Sequence, residues 1–285
     1  RSNIMDLHSG LPYWIIRNSL WDYFHPLEKD LSTDVVIVGS GITGALMAHE
    51  LCHAGIKCCI VDKRSIATGS SAASTALLQY EIDVPLCRMA KIIGEENAAT
   101  AYHACLQSIS DIKRVLEETG VNAGFEQLPS LFYASSAADN KLLEQEHEIR
   151  QKHKLPVNLL EKKKIREEYK VKTPGNALIN EASAQMDAYR AATGLLAYHI
   201  KESGLKVFTH TSIKECIETS DGCIMTTDRG HKIKCGYVII ATGFEAGQFL
   251  PQKIMDLTST YALVSHPVAS EHLWPTHCLI WETAD

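Results

Sequence analysis

Apolar residues follow two patterns along the chain, and together these patterns predict an α/β fold. Asp34–Val38 (DVVIV) and Lys57–Val61 (KCCIV) are short apolar runs, typical of strands buried on both faces of a parallel sheet. Between them, residues 42–53 have a helical pattern that ends at Gly55. A strand, a helix and a second strand within about 30 residues make a βαβ unit.

The rest of the chain divides into helical and strand-rich parts. Helices are predicted over residues 86–119, 139–154, 161–170 and 187–202. Short strands are predicted over 206–210, 212–218, 223–227, 231–235 and 237–240, with Asp221-Gly222 and Arg229-Gly230 as turns. Long amphipathic helices replace buried strands after Pro85, which predicts a second domain. We expect a Rossmann-type FAD/NAD(P)-binding domain with a parallel sheet over 31–84 and 176–250. An inserted α+β substrate-side domain should cover 85–175 and 251–285, and residues 1–30, rich in aromatic side chains, should form an N-terminal arm.

Composition argues against several classes of protein, although a local basic patch could still lie within the average charge. The net charge of −6 argues against a nucleic-acid binder, which usually carries a basic face. No apolar run is long enough for a transmembrane segment. The nine cysteines are an odd number without a CxxC spacing, so neither a disulfide framework nor a metal site is expected. Reduced thiols of this kind predict a cytoplasmic protein.

The first motif with a chemical meaning is Gly39-Ser40-Gly41-Ile42-Thr43-Gly44, a GxGxxG between the first strand and its helix. Its glycines allow a tight turn, a close approach of a pyrophosphate and close packing of helix on strand. The helix N-terminus favours an anion. Asp62 lies 21 residues after Gly41, at the end of the second strand, where a carboxylate can accept hydrogen bonds from ribose hydroxyls. The alternative is a glycine-rich turn that binds no ligand.

Two further segments point to the same nucleotide. Residues 68–75 (TGSSAAST) supply small hydroxyl-bearing side chains that could hold phosphate oxygens, although a flexible surface loop could have the same composition. Residues 237–243 (YVIIATG) predict a buried strand that ends in a glycine, where a second backbone segment can approach the ligand. Alone, this second segment would be an ordinary strand end.

These motifs, with His210-Thr211-Ser212-Ile213, occur in the order and spacing of a known family. From about residue 31 onward the chain resembles the FAD-dependent oxidoreductases of the D-amino-acid oxidase type, which include glycine oxidase, sarcosine oxidase and glycerol-3-phosphate dehydrogenase. The resemblance implies FAD as cofactor, Ile213 against the adenine, and oxidation of a small-molecule amine or hydroxy acid by hydride transfer to flavin N5. Neither the substrate nor the electron acceptor carries over. The predicted cofactor-binding residues are Gly39, Ser40, Gly41, Ile42, Thr43, Gly44, Asp62, Lys63, Arg64, Gly69, Ser70, Ser71, Ser74, Thr75, Ile213, Ala241, Thr242 and Gly243.

The resemblance leaves the catalytic residues unassigned. Gln79, Tyr80 and Glu81 follow the small-residue segment and could approach the isoalloxazine, or Tyr80 and Glu81 could simply pack and bridge. Family members run on well beyond the position of Asp285, so we expect a C-terminally truncated and inactive fragment whose catalytic residues lie beyond Asp285. Two alternatives share the first motif: an NAD(P)-dependent dehydrogenase and a non-catalytic nucleotide-binding module.

Overall fold

The computed structural model describes residues 7–21, 24–250, 252, 256–273 and 276–284. The strands are β1 (Leu31–Val38), β2 (Cys58–Val61), β3 (Leu77–Leu78), β4 (Glu126–Tyr133), β5 (Asn158–Leu160), β6 (Ala177–Gln185), β7 (Lys206–Phe208), β8 (Ile213–Thr219), β9 (Gly222–Thr227), β10 (Lys232–Ile240) and β11 (Leu279–Glu282). The α-helices are α1 (Tyr13–Asn18), α2 (Ile42–His53), α3 (Leu86–Ile93), α4 (Glu95–Thr119), α5 (Asn140–Lys152), α6 (Lys162–Lys164) and α7 (Ala188–Ser203).

The chain forms two compact units, and the first contains the predicted nucleotide motifs. Unit 1 comprises residues 1–75, 119–123 and 187–263. Its sheet has the order β7-β2-β1-β10-β9-β8. The first four strands are parallel to one another, β9 pairs antiparallel with β10, and β8 pairs antiparallel with β9. β1 pairs with β2 from Val35↔Cys58 to Val38↔Val61, so the predicted parallel pairing of these two strands is confirmed. The α/β fold class is confirmed with it.

Buried apolar side chains of neighbouring strands pack together in the sheet of unit 1. Val36, Val38, Cys59 and Val61 lie in one cluster of buried side chains, as their uninterrupted apolar runs predicted. Helix α2 packs against β1, β2 and α7. Beyond α2, Gly55 has a φ of 72°, the left-handed conformation that ends a helix and favours glycine.

Unit 2 comprises residues 76–118, 124–186 and 264–285. Its sheet has the order β11-β4-β6-β3, and β5 also pairs with β6. The pairing Leu77↔Gln185 joins β3 to β6 and places both strands in this unit. The units change after residues 75, 186 and 263, which lie 9, 11 and 13 residues from the predicted domain boundaries after 84, 175 and 250, and residues 119–123 belong to unit 1. The division into nucleotide and substrate-side domains stays a prediction.

Several predicted elements need correction. The helix predicted over 86–119 is two helices, because Gly94 adopts a φ of 87° between α3 and α4. The strands predicted over 231–235 and 237–240 form one strand, β10. The helix predicted over 161–170 is a single turn, α6, followed by a π-helical turn at Ile165–Tyr169. No prediction covered β4 or β6.

Candidate cofactor site

A cleft of about 310 Å³ opens in unit 1 at the carboxyl ends of three neighbouring strands. The loops after β1, β2 and β10 line it, and ligands of open parallel sheets bind at this edge. Of the predicted residues, those that line the cleft are Gly39, Gly41, Ile42, Thr43, Asp62, Lys63, Arg64, Gly69, Ser70, Ser71, Ser74, Ile213, Ala241, Thr242 and Gly243. Ser40, Gly44 and Thr75 are not among the lining residues.

Close backbone contacts explain the first and third glycines of the GxGxxG loop. Gly39 has a φ of 109°, and a Cβ there would lie 2.4 Å from the carbonyl oxygen of Ala241. A Cβ on Gly44 would lie 2.0 Å from the carbonyl oxygen of Gly39. Any larger side chain at either position would therefore push apart the backbone segments that form the cleft.

Asp62, which was predicted to accept hydrogen bonds from a ribose, also forms hydrogen bonds with the glycine loop. Its Oδ2 accepts hydrogen bonds from the backbone nitrogen of Ser40 at 2.8 Å and from the hydroxyl of Ser40 at 2.5 Å. Its Oδ1 accepts one from the backbone nitrogen of Arg64 at 2.8 Å. A carboxylate has about four acceptor sites, so capacity for a further donor such as a ribose hydroxyl is left.

The small-residue segment lies against the GxGxxG loop. Ser70–Ala73 forms a 3-10 turn, and Ser71 Oγ accepts a hydrogen bond from the backbone nitrogen of Ile42 at 2.9 Å. That nitrogen belongs to the first residue of α2, at the positive end of the helix. A serine hydroxyl that accepts one bond still carries a proton to donate. Ser71 can thus donate to an anion placed in the cleft.

Sequence reasoning missed Glu245, which also lines the cleft. It lies in the 3-10 turn Gly243–Gln248, and only 4% of the residue is exposed. Its carboxylate pairs with Lys63 Nζ at 2.5 Å and with Arg64 Nη1 at 2.7 Å. Burial acts to raise the pKa of Glu245, but hydrogen bonds from Arg64 and Lys63 outweigh burial and hold the pKa below its ordinary value. Glu245 is therefore charged in the folded protein.

Gln79, Tyr80 and Glu81 belong to unit 2 and have partners inside it. Gln79 donates to Ser130 Oγ at 2.9 Å, and the hydroxyl of Tyr80 donates to the carbonyl of Pro156 at 2.7 Å. Glu81 forms a buried ion pair with Arg150 at 3.2 Å. These contacts support the alternative in which Tyr80 and Glu81 pack and bridge.

Neither a metal-binding cluster nor a membrane-spanning helix occurs among the described residues. No three His, Cys, Asp or Glu side chains within these ranges come together in a way that could hold a metal ion. Among the helices that the structure describes, none has both the length and the apolar character needed to cross a membrane.

Curated relatives match parts of the chain. A protein of Bacillus subtilis named "Putative Rieske 2Fe-2S iron-sulfur protein YhfW" is 23% identical over 232 residues, covering 81% of this chain and 44% of that protein. One subunit of the anaerobic glycerol-3-phosphate dehydrogenase of Haemophilus influenzae is 46% identical over 50 residues, 18% of this chain and 9% of that relative. The chain thus spans less than half the length of the curated relatives that it matches.

Solved structures show the same fold. Glycine oxidase from Geobacillus kaustophilus superposes with a TM-score of 0.65 at 22% identity, covering 76% of this chain and 57% of that chain. L-proline dehydrogenase from P. horikoshii gives a TM-score of 0.64 at 22% identity, covering 79% and 58%.

A profile of the family described as "FAD dependent oxidoreductase" (DAO) matches residues 34–284. This match includes the three strands that precede the nucleotide motifs, β1, β2 and β10, and most of the chain. It confirms FAD as the cofactor. The chain belongs to the DAO family of FAD-dependent oxidoreductases.

Proposed function

We propose that this chain binds FAD in the cleft of unit 1 and functions in an oxidoreductase that oxidises a small-molecule amine or hydroxy acid. The observation that carries the proposal is the convergence of the Gly39–Gly44 loop, Asp62 and the 242–243 turn on one cleft at the carboxyl end of the parallel sheet. Relatives of this fold named glycine oxidase and L-proline dehydrogenase favour an amino-acid or amine substrate.

The residues of the cleft suit the parts of FAD. Backbone N–H groups at the start of α2, together with the Ser71 hydroxyl, would bind the pyrophosphate. Asp62 would accept hydrogen bonds from the ribose, and Ile213 would pack against the adenine. FAD, when bound, supplies the hydride acceptor, while the protein binds and orients the reactants and shields them from water.

We further propose that the protein works in the cytoplasm and does not bind nucleic acid. All nine cysteines are free thiols, the state that a reducing compartment maintains. The net charge of −6 offers no general attraction for a phosphate backbone.

A single preparation tests FAD binding. We expect the purified protein, mixed with FAD and desalted, to be yellow and to release FAD rather than FMN on denaturation. Gly41→Val should abolish retention. A Cβ at this position would already lie 3.0 Å from Ser71 Oγ, and the valine side chain extends beyond its Cβ. Ser220→Val, in the exposed turn between β8 and β9 and away from the cleft lining, is the control and should retain flavin. Full retention of flavin by Gly41→Val would show that the cofactor binds elsewhere.

Anaerobic reduction separates an enzyme from a non-catalytic binding module. If this chain is itself a catalyst, at least one compound in a panel of amino acids, N-methyl amino acids and hydroxy acids should bleach the flavin spectrum of the loaded protein. Retained flavin that none of these compounds reduces, while dithionite does reduce it, would favour the binding module.

A further inference from the structure

An ion-pair bridge crosses the candidate cofactor cleft from one side to the other. Lys63 and Arg64 follow β2, Glu245 follows β10, and β1 lies between these two strands. Neighbouring strands are about 4.8 Å apart, so the strands that carry the two ends of the bridge are separated by about 10 Å. The bridge therefore spans the carboxyl end of β1, where the glycine loop that would hold the pyrophosphate begins.

The bridge is built to hold one carboxylate firmly. Arg64 contacts both oxygens of Glu245, at 2.7 Å through Nη1 and 3.1 Å through Nη2, and Lys63 adds a third contact at 2.5 Å. The Glu245 side chain is 5% exposed, whereas those of Lys63 and Arg64 are 29% and 27% exposed. Bidentate contacts between an arginine and a carboxylate fix the relative orientation of the two groups and also strengthen the pair. All three residues line the cleft.

The segment that Glu245 anchors also forms part of the cleft wall. Gln248 and Phe249, which come shortly after it, are lining residues. The 3-10 turn Gly243–Gln248 has no side-chain hydrogen bond at its N-cap residue, Thr242. The ion pairs of Glu245 attach this turn to the residues that follow β2.

We propose that Glu245 is a positioning residue, and that its bridge to Lys63 and Arg64 is a strap that holds residues 243–249 across the cleft and slows the departure of FAD. This inference rests on the proposed FAD binding in the same cleft. Contacts that hold a formed complex together act mainly on the dissociation rate. We therefore expect Glu245→Gln to speed FAD release by about tenfold or more, while the association rate changes little. Glu245→Asp keeps the charge and should fall between the two.

The test measures FAD release from the loaded protein by the recovery of flavin fluorescence after dilution, at low and high salt. Salt should speed release from the wild-type protein, because two of the three bridge groups are partly exposed, and should have little effect on Glu245→Gln. Lys63→Gln leaves the Arg64 contacts in place and should give a milder increase. Glu218→Gln, on an exposed position of β8, is the matched control and should release FAD at the wild-type rate.

A second measurement needs no cofactor. In the apoprotein, the strap should protect the bonds after Phe244 and Phe249 from chymotrypsin, and Glu245→Gln should be cut there faster while its circular dichroism stays unchanged. If the wild type binds FAD and Glu245→Gln matches it in release rate and in proteolysis, the strap is overturned and the proposed function stands. If the wild type fails to bind FAD, the proposed function falls, and faster cutting of Glu245→Gln still supports the strap as a property of the apoprotein.

Discussion

Asp62 and Ser40 are joined by two hydrogen bonds, which link the end of β2 to the glycine loop after β1. Oδ2 of Asp62 accepts from the backbone nitrogen of Ser40 at 2.8 Å and from its hydroxyl at 2.5 Å. The same hydroxyl also accepts a bond from the backbone nitrogen of Ala67 at 3.3 Å. One carboxylate thus fixes the shape of the loop as well as offering an acceptor to a ribose.

We expect Asp62→Ala to weaken FAD binding by about 1.5–3 kcal/mol, the range for lost hydrogen bonds to a charged group. The change removes an acceptor and also frees the loop, so the loss should sit at the upper end of that range. Isothermal titration of the apoprotein with FAD measures it. Asp221→Asn, in the exposed turn between β8 and β9, should bind as the wild type does. Unchanged affinity in Asp62→Ala would contradict the assignment.

Gly44→Ala tests the packing of helix on strand. The added Cβ would lie 2.0 Å from the carbonyl oxygen of Gly39, and backbone atoms cannot move aside as the end of a flexible side chain can. We expect a lower melting temperature together with loss of FAD binding. Ser220→Ala, in the exposed turn between β8 and β9, should leave both unchanged. Equal melting temperatures for the two variants would argue against the steric role of Gly44.

The first βαβ unit could be predicted closely because its signals are local. Helix α2 begins at Ile42 and ends at His53, as predicted, since a glycine loop precedes it and Gly55 follows it. The sheet of unit 2 has no comparable signal. Strand β4 contains Pro129, at a register shift between Leu128 and Ser130, and a proline within a run of residues argues against a strand.

The sequence did not reveal Glu245 as a residue of the site because its partners, Lys63 and Arg64, lie far from it along the chain. Lys63 and Arg64 were assigned to the cofactor from their position after Asp62, but nothing in one sequence indicates that Glu245 lies against them. That pairing depends on β10 lying next to β1, and it joins residues about 180 positions apart. Ile213, by contrast, lines the cleft, and its position against the adenine stays a prediction.

Helices α2 and α7 of unit 1 carry a buried pair of histidines, His49 and His199. His49 Nδ1 and His199 Nε2 are 3.0 Å apart, and His199 Nδ1 lies 3.0 Å from Ser203 Oγ. Burial lowers the pKa of His199 below its usual 6.5, and electrostatic repulsion from His49 and His53 lowers it further. The unfolded chain therefore takes up a proton near pH 6.5, where the folded protein does not.

The contribution of His199 to the free energy of unfolding should consequently be complete above pH 6.5 and fall as the pH drops below it, toward the pKa of folded His199. Urea unfolding on both sides of this pH measures the slope. His199→Gln should flatten it, because glutamine can still form hydrogen bonds but takes up no proton. His272→Gln, at an exposed position, should keep the wild-type slope. A slope that survives His199→Gln would assign the acid sensitivity to other groups.

Arg150 is the only cation in direct contact with two buried carboxylates in the described part of unit 2. Its Nε lies 2.7 Å from Glu146 Oε1 and its Nη1 lies 3.2 Å from Glu81 Oε1, and the side chain is 0% exposed. The guanidinium also lies 5.5 Å from the ring centre of Tyr80 and 5.6 Å from that of Tyr102. The Glu146 carboxylate in turn accepts the backbone N–H groups of Leu86 and Cys87, at 2.9 and 2.8 Å, where helix α3 begins.

We expect Arg150→Met to lower the free energy of unfolding by about 3–5 kcal/mol, because it fills most of the same space but leaves buried carboxylates without their cation. Burial raises the pKa of Glu81, and Arg150 opposes that rise. Without the guanidinium, Glu81 should hold its proton to still higher pH, so the variant should lose more stability at alkaline pH than at acid pH. Urea unfolding across pH measures both effects. Arg114→Met removes an arginine paired with Asp111 and Glu118 on the exposed face of α4 and should change stability little. Equal stabilities for Arg150→Met and Arg114→Met would mean that the buried cluster contributes no more than a surface pair.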